Sequence, residues 1–267
     1  MSAATTLVEA LGPLRTDPAR AAVLLDIDGT LAPIVRHADD AHVPEPTRAP
    51  LIAVAKRYAV VGCVSGRQAA TARRIVSLGS IAYVGNHGME LLRPGGTDVE
   101  IDPEIADHEQ VVRKFARDVW GPHLQRLRIR AEDKSAIAAY HWRGAPDEDA
   151  AEDAMREVAA DAEAAGLKTH WGRKVLEVRP PVPFDKGRGV RRLLTGRDLA
   201  VGLYVGDDLT DLDAFAGLRG LVEDGELGVA ICVGVRSEET PAALEQAADV
   251  LVDGPPGVRA LLTTLAE

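Results

Sequence analysis

The run Ala21-Ala22-Val23-Leu24-Leu25-Asp26-Ile27-Asp28-Gly29-Thr30-Leu31 constrains this chain more than any other segment. Five apolar residues read as a buried strand. Two carboxylates arrive where that strand should end, and Gly-Thr makes a turn. In open α/β sheets, ligand chemistry sits outside the carboxyl ends of strands. Two acids this close repel, and burying them is costly unless a cation or a shared proton lies between them. Asp28-Gly29 is a common turn pair, but a turn does not explain Asp26 inside an apolar run.

Around this segment the first hundred residues alternate strand and helix patterns. Strands are predicted at 23–25, 59–64 and 81–84, with helices at 50–57 and after Arg67 through Val76. That βαβα order predicts a parallel sheet with right-handed crossovers. Near Asp98 the pattern changes. Helical spacing is predicted over 104–120 and 147–165, and short strands over 126–130, 135–142, 168–171 and 174–178. An αββαββ order suits an antiparallel sheet with helices on one face. Pro180-Pro181-Val182-Pro183 marks the return to the first pattern, followed by a helix over 186–194 and strands at 199–205, 229–233 and 250–252. The predicted fold class is α/β: a Rossmann-like parallel-sheet core over 1–98 and 181–267, with an inserted α+β cap over 99–180.

At 267 residues the chain is long enough to bury a good core. Acidic residues outnumber basic ones 41 to 31, which argues against a general nucleic-acid binder. A phosphorylated substrate remains compatible, because a local metal and a lysine reverse the field. The two cysteines, Cys63 and Cys232, begin no metal-binding cluster. The stretch 1–20 carries Glu9, Arg15 and Asp17 and reads as neither a secretory signal nor a spanning helix. No window of about 18 apolar residues occurs. The expectation is a soluble cytoplasmic protein with no membrane partner; the sequence says nothing of protein partners.

Three further segments carry chemistry. The strand before Ser65-Gly66-Arg67 delivers a hydroxyl to its carboxyl end, where Ser65 and the N–H groups of the next helix can meet a phosphoryl oxygen. Read alone, Ser65 is equally a helix N-cap. Lys186, in Phe184-Asp185-Lys186-Gly187, opens a helix and can neutralise a phosphoryl group; read alone, it is a solvated surface lysine. Gly206-Asp207-Asp208-Leu209-Thr210-Asp211 ends an apolar strand with hard oxygen ligands of the kind Mg²⁺ prefers. Helix N-cap roles account as well for Thr210 and Asp211.

Taken in order, these segments resemble the four motifs of the haloacid-dehalogenase-like (HAD) phosphohydrolases. The resemblance implies that Asp26 attacks phosphorus to form an aspartyl phosphate, and that Asp28 protonates the leaving alcohol and later activates water. It also implies supporting catalytic roles for Ser65 and Lys186, and Mg²⁺ held by Asp26, the backbone carbonyl of Asp28, and Asp207. Asp28, where an ATPase would carry Thr, points to a phosphatase.

The chain is more narrowly similar to the trehalose-6-phosphate phosphatases across nearly its whole length. The matching pieces are 25–32, 64–67, Gly85-Asn86-His87-Gly88-Met89-Glu90, Glu132-Asp133-Lys134 with His141-Trp142-Arg143, 172–180, 185–187 and 206–211. This similarity implies a C2-type cap that closes over a disaccharide phosphate. Lys134 and Glu177 are then sugar contacts from the cap, and Gly66, Arg67, His87 and Gly88 are substrate contacts on the core side. A site built to bond many hydroxyls rejects analogues that leave its polar groups unpaired. Strand alternation predicts Arg173 and Glu177 on one face; an exposed charge pair explains Arg173 as well. Trp142 and Trp171 read as packing residues before sugar platforms, and Arg126, Arg128 and Arg130 as a solvated strand face. Two positions depart from the family pattern: Leu212 stands where Glu is common, and Arg173 where Lys is usual. The expected function is Mg²⁺-dependent hydrolysis of trehalose 6-phosphate. The alternatives are a phosphatase for another sugar or glycoside phosphate, and a regulatory domain that binds a sugar phosphate.

Overall fold

The structure, a computed structural model, describes residues 7–35, 37–238 and 240–267. Residues 1–6 of the amino-terminal stretch read above lie outside the described residues. In chain order the strands are β1 (Ala21–Leu25), β2 (Val60–Val64), β3 (Ala82–Gly85), β4 (Glu90–Leu92), β5 (Val99–Ile101), β6 (Arg130–Asp133), β7 (Ala138–His141), β8 (Lys168–Gly172), β9 (Val175–Arg179), β10 (Val201–Gly206), β11 (Val229–Arg236) and β12 (Val250–Asp253). The helices are α1 (Leu7–Ala10), α2 (Gly12–Thr16), α3 (Glu45–Arg57), α4 (Ala69–Val76), α5 (Pro103–Val119), α6 (Pro122–Arg126), α7 (Glu148–Ala164), α8 (Lys186–Leu194), α9 (Asp211–Glu223), α10 (Ala242–Ala247) and α11 (Gly254–Ala266).

The chain divides into two compact units, Met1–Glu100 with Phe184–Glu267, and Ile101–Pro183. The first is built on a sheet ordered β12-β11-β10-β1-β2-β3-β4-β5. Pairs from β12 through β3 are parallel, and β4 returns antiparallel to β3. Strand alternation sends Val23 and Leu25 to one face, where they pack with Leu51 and Val54 of α3 and Leu261 and Leu262 of α11. Ala22 and Leu24 face the other way, onto Val190 and Leu193 of α8 and Phe215 and Leu218 of α9. Burial on both faces is why β1 is apolar throughout. From β1 the chain builds β2 and β3 on one side and later β10, β11 and β12 on the other. The order therefore reverses at β1, which makes its carboxyl end the place where such a sheet opens a crevice.

The second unit carries an antiparallel sheet ordered β6-β7-β9-β8. Its core joins Ala138, Tyr140, Leu176 and Val178 to Val112 of α5 and Met155 and Val158 of α7. Asp102 caps α5, accepting from Glu104 N at 3.1 Å, and Asp147 caps α7, accepting from Ala150 N at 2.9 Å.

Two local predictions fail in this unit. Residues 126–129 are not a strand, and β6 starts only at Arg130: Pro122 opens α6, which runs to Arg126, and Arg128 takes a left-handed φ of 54°. Leu127 and Ile129 still reach the core from that turn, which is why the alternating pattern misleads. The strand expected over 135–142 shortens to β7, because Ser135 sits in a tight turn at φ 66° and Lys134 N donates to Ile137 O at 2.9 Å. The helical order is accordingly α5, α6, then ββαββ.

Candidate active site

Three neighbouring parallel strands end at one place. β1 delivers Asp26, β2 delivers Ser65 and β10 delivers Asp207, with Leu25 level with both Cys63 and Val205. Asp26 is buried, and its N–H donates to Val205 O at 2.8 Å, which extends the ladder one residue past β1. Lys186, at the first position of α8 behind the N-cap Asp185, is buried and donates to Asp26 Oδ1 at 3.0 Å and to Asp211 Oδ1 at 2.7 Å. Burial opposes the lysine charge, but Asp26 and Asp211 outweigh it and hold the ammonium well above the usual lysine range.

Asp211 was missed as a site residue in the sequence, where helix capping explained it. Its carboxylate accepts from Lys186, from the Tyr204 hydroxyl at 2.7 Å, and from the N–H groups of Asp207 and Asp208 at 2.8 and 3.0 Å. It is a fully buried brace that fixes both the lysine and the loop carrying Asp207. Its spacing four residues after Asp207 was readable; the partnership with Tyr204 was not. Thr30 of the first motif donates to Asp207 Oδ1 at 3.0 Å, so the Gly-Thr turn supports the acid on β10. At Gly29, with φ 84°, a Cβ would lie 2.1 Å from Asp207 Oδ2, so the turn needs both the backbone freedom and the missing side chain.

Asp26, Asp207 and Asp211 present carboxylate oxygens that all lie within 4.8 Å of one another, and all three are buried. Burial, and then the Asp211 charge, push the Asp207 carboxyl up to about 7. Asp26 is raised well above the ordinary range, by burial foremost and despite Lys186. Buried like charges of this kind fit a hard divalent cation with oxygen ligands. Asp211 already has four donors, which leaves Asp26 and Asp207 as the carboxylates best able to hold such an ion. Asp208, where Lys186 and Thr210 together outweigh burial, is held below the usual range.

Asp28 lies on the turn after Asp26, half-buried, and its carboxylate is taken bidentately by Arg67, from Nε at 2.6 Å and Nη2 at 2.8 Å. Arg67 Nη1 also donates to Ala38 O at 3.0 Å. Ser65 is buried; its Oγ accepts from Arg67 N at 3.2 Å, and its own O–H is uncommitted among the described residues. His87 takes φ 54°, its N–H donates to Ser65 O at 3.1 Å, and its ring covers Gly66, where a Cβ would lie 2.7 Å from Cε1. At Gly88, with φ 105°, a Cβ would lie 2.2 Å from Asp185 O, so the glycine lets this loop press against the start of α8. Glu90, also outside the predicted site, accepts from Asn86 Nδ2 and Ala69 N, both at 2.7 Å, and ties the loop to the α4 N-terminus.

The first unit thus gathers Asp26, Asp28, Ser65, Gly66, Arg67, His87, Gly88, Lys186 and Asp207. The other two predicted residues lie together in the second unit. Lys134 Nζ donates to Glu177 Oε1 at 3.0 Å, and Arg179 Nε donates to Oε2 at 2.9 Å. Burial would raise the Glu177 carboxyl, but Lys134 and Arg179 pull it down to about 2. Arg173 does not share a face with Glu177. It is exposed in the turn before β9, where Lys174 takes φ 63°. Trp142 is buried in the core of the unit, and Trp171, which is exposed, meets it edge-on with ring centroids 5.9 Å apart.

The sequence profile described as trehalose-phosphatase matches residues 24–247. A trehalose-phosphate phosphatase of Mycobacterium marinum is 34% identical over 275 aligned residues, covering 94% of this chain and 65% of that protein. The trehalose 6-phosphate phosphatase RA3 of Zea mays is 32% identical over 239 residues, 83% of this chain and 64% of that one. An uncharacterized glycosyl hydrolase of Mycobacterium tuberculosis is 33% identical over 213 residues, 75% of this chain but 15% of its own length. The chain thus spans less than two thirds of each of these relatives. Among solved structures, a trehalose-6-phosphate phosphatase related protein matches with a TM-score of 0.70 at 22% identity, covering 92% of this chain and 96% of that one. A haloacid dehalogenase-like hydrolase from Bacteroides thetaiotaomicron matches at 0.59 with 15% identity, covering 91% of this chain and 98% of that one. The fold is that of the HAD hydrolases, and with the profile running from β1 to the end of α10, the chain belongs to the trehalose-phosphatase family.

Proposed function

We propose that this chain hydrolyses trehalose 6-phosphate to trehalose and phosphate through an aspartyl phosphate, with Mg²⁺ as its cofactor. The observation that carries the reading is the buried Asp26 at the end of β1, 3.0 Å from Lys186 and clustered with Asp207. Asp26 is the nucleophile. Lys186 holds its carboxylate in place and offsets the charge of the incoming phosphoryl group. Ser65 donates its free hydroxyl proton to a phosphoryl oxygen, helped by the backbone N–H of Gly66. Asp28 gives a proton to the leaving sugar oxygen and takes one from the attacking water; it does so once Arg67, which holds both of its oxygens in the ionised form, releases one of them. Asp26, the backbone carbonyl of Asp28 and Asp207 would hold Mg²⁺, which supplies positive charge against the phosphoryl oxygens when bound.

The second unit is the cap, and Lys134 and Glu177 contact the sugar. Their support is the preformed ion pair: a buried glutamate and a half-buried lysine, oriented to bond hydroxyls. His87 and Gly88 complete the substrate contacts of the core. A cytoplasmic setting agrees with Cys63 and Cys232, both buried and both free. Among the described residues no helix is long and apolar enough to cross a membrane.

The deciding experiment measures phosphate release from trehalose 6-phosphate, glucose 6-phosphate and sucrose 6-phosphate, with Mg²⁺ and with EDTA, for wild type and Asp26→Asn. Mg²⁺-dependent release strongest on trehalose 6-phosphate, and absent in folded Asp26→Asn, is the expected result. Equal release from all three sugars would move the assignment to a broader sugar phosphatase. No release from any of them would leave a binding module.

A further inference from the structure

Within the second unit the sheet has two chemically different faces. Register pairs Ala139 with Glu177, and Ala138 and Tyr140 with Val178 and Leu176. Strand alternation therefore sets Glu177 on one face, and Tyr140 and Ala138 on the other, under α5 and α7. On that helical face, between α5 and the β6–β7 hairpin, lies a cavity of about 370 Å³. This volume lies in the range of small-molecule sites, which are apolar concavities with a few placed polar groups. Its lining is mostly apolar, with Val112, Ala116, Ala138 and Ile137 around two aromatic rings. Those rings, Trp120 and Tyr140, stack with centroids 6.4 Å apart and an interplanar angle of 26°.

The polar groups define what the cavity would take. Tyr140 is 1% exposed, and its hydroxyl is buried with no hydrogen-bond partner among the described residues. A buried hydroxyl left in this way costs free energy, which an acceptor on a ligand would recover. Arg113 and Arg117 stand one turn apart on α5 and both line the cavity. Arg113 is neutralised, by Glu109 at 2.7 Å and Asp133 at 3.2 Å. Arg117 has no ion pair among the described residues. Glu132 also lines the cavity, with its carboxylate on His141 Nε2 at 2.8 Å. The lining thus offers aromatic surface, one buried unmatched donor and the unpaired charge of Arg117.

We infer that this cavity is a binding site for a small planar aromatic anion, such as an aryl carboxylate, separate from the phosphatase centre and coupled to it through the β6–β7 hairpin. The ring lies against Trp120 and Tyr140. The anionic oxygen accepts from Arg117 and the Tyr140 hydroxyl. Coupling follows from the chain: Asp133 and Ser135 line the cavity, and Lys134 between them reaches Glu177. An occupant that shifts this turn shifts the pair assigned above to the sugar, so the coupling half rests on that reading and the binding half does not.

The probe is 2-naphthoate, titrated calorimetrically into the full chain and followed through indole N–H resonances. The chain has three tryptophans, and only Trp120 lines the cavity. Saturable binding at about 1 mM or tighter, with Trp120 the indole most shifted, is expected. Neutral 2-naphthylmethanol and non-aromatic cyclohexanecarboxylate should both bind more weakly. Arg117→Gln and Tyr140→Phe should each weaken 2-naphthoate roughly 3- to 10-fold, Arg117→Lys should retain most of the affinity, and Ala116→Leu should fill the space and abolish binding. Absence of saturable binding, a silent Trp120, equal affinity for the neutral alcohol, or an unchanged Arg117→Gln each overturns the site. For the coupling, saturating 2-naphthoate should change KM for trehalose 6-phosphate and leave turnover of a small aryl phosphate unchanged. An unaltered KM while calorimetry still shows binding overturns the coupling alone; no turnover of either substrate would count against the phosphatase reading instead.

Discussion

At the residue scale, the centre of this protein is a single carboxylate that touches no proposed substrate. Asp211 gathers Lys186, Tyr204 and two loop N–H groups, and so sets where Lys186 meets Asp26. Removing one partner of a buried, hydrogen-bonded ion pair leaves the other uncompensated, at about 3–5 kcal/mol. Asp211→Ala should therefore destabilise by about that amount and lose activity, whereas Tyr204→Phe should cost about 1–3 kcal/mol. Urea unfolding checks the ranking, and an Asp211→Ala protein as stable as wild type would refute the brace. Asp207 carries the pH dependence. Its carboxyl sits at about 7 in the fold against 3.8 ordinarily, because of burial first and Asp211 second. The folded metal-free chain thus binds more protons than the unfolded chain across that window, and its stability should fall as pH rises from about 4 to about 7. A divalent cation must displace the proton, so Mg²⁺ affinity should weaken as pH drops below about 7, with proton release on binding. Calorimetry in buffers of different ionisation enthalpy measures that release; none at pH 6 would contradict a role for Asp207 as ligand.

At the scale of elements, glycines set how closely the two helices beneath the site approach. A Cβ on Gly217 of α9 would lie 2.5 Å from the Cα and the carbonyl oxygen of Gly187 on α8, and one on Gly187 would lie 2.2 Å from Asp213 O. Backbone meets backbone here, so no side chain can swing away. Gly217→Ala should force the helices apart and cost roughly 1–3 kcal/mol. Because Lys186 is the first residue of α8, kcat should fall more than the stability loss alone explains. Turnover measured well below the melting temperature separates the two; unchanged kcat would show that α8 position does not govern Lys186. The same scale shows where patterning misled. Residues 126–130 alternate like a strand, yet Pro122 starts a helix and Arg128 turns left-handed, and the turn itself brings Leu127 and Ile129 to the core. Short apolar alternation does not distinguish a half-buried strand from a helix end followed by a turn. Strands β4 and β5, short and at the edge of the large sheet, were likewise invisible to periodicity.

For the whole molecule, the division into two units has a spectroscopic consequence. Trp120, Trp142 and Trp171 all lie in the second unit, so tryptophan emission follows that unit alone. Its most consequential charge is Glu177, held at about 2 against an ordinary 4.5 because Lys134 and Arg179 overcome burial. A depressed carboxyl contributes stability above its unfolded pKa and loses it as pH falls through the folded one. The loss should therefore run between pH 4.5 and 2 and amount to about 3 kcal/mol. Acid unfolding followed by tryptophan emission should show it. Glu177→Gln, which leaves two cations with a neutral partner, should be less stable at pH 7 and lack that acid-sensitive component. Identical acid profiles for the two proteins would rule the ion pair out as its source.

Local chemistry alone marked Asp26, because a carboxylate is out of place in an apolar strand; Ser65, Lys186 and Asp207, each with an ordinary capping or surface reading, stood out only through the resemblance carried by the four motifs in order. The alternating strand and helix order likewise announced a parallel sheet interrupted by a second pattern. Only the tertiary structure decided which groups meet. Lys186 lies 160 positions from Asp26, Arg67 lies 39 from Asp28 and Glu90 lies 21 from Ala69, and no spacing in the chain links them to these partners. Periodicity records which face of an element is buried, whereas hydrogen bonds between distant segments depend on how whole elements pack, and that information exists only once the sheet has closed around them.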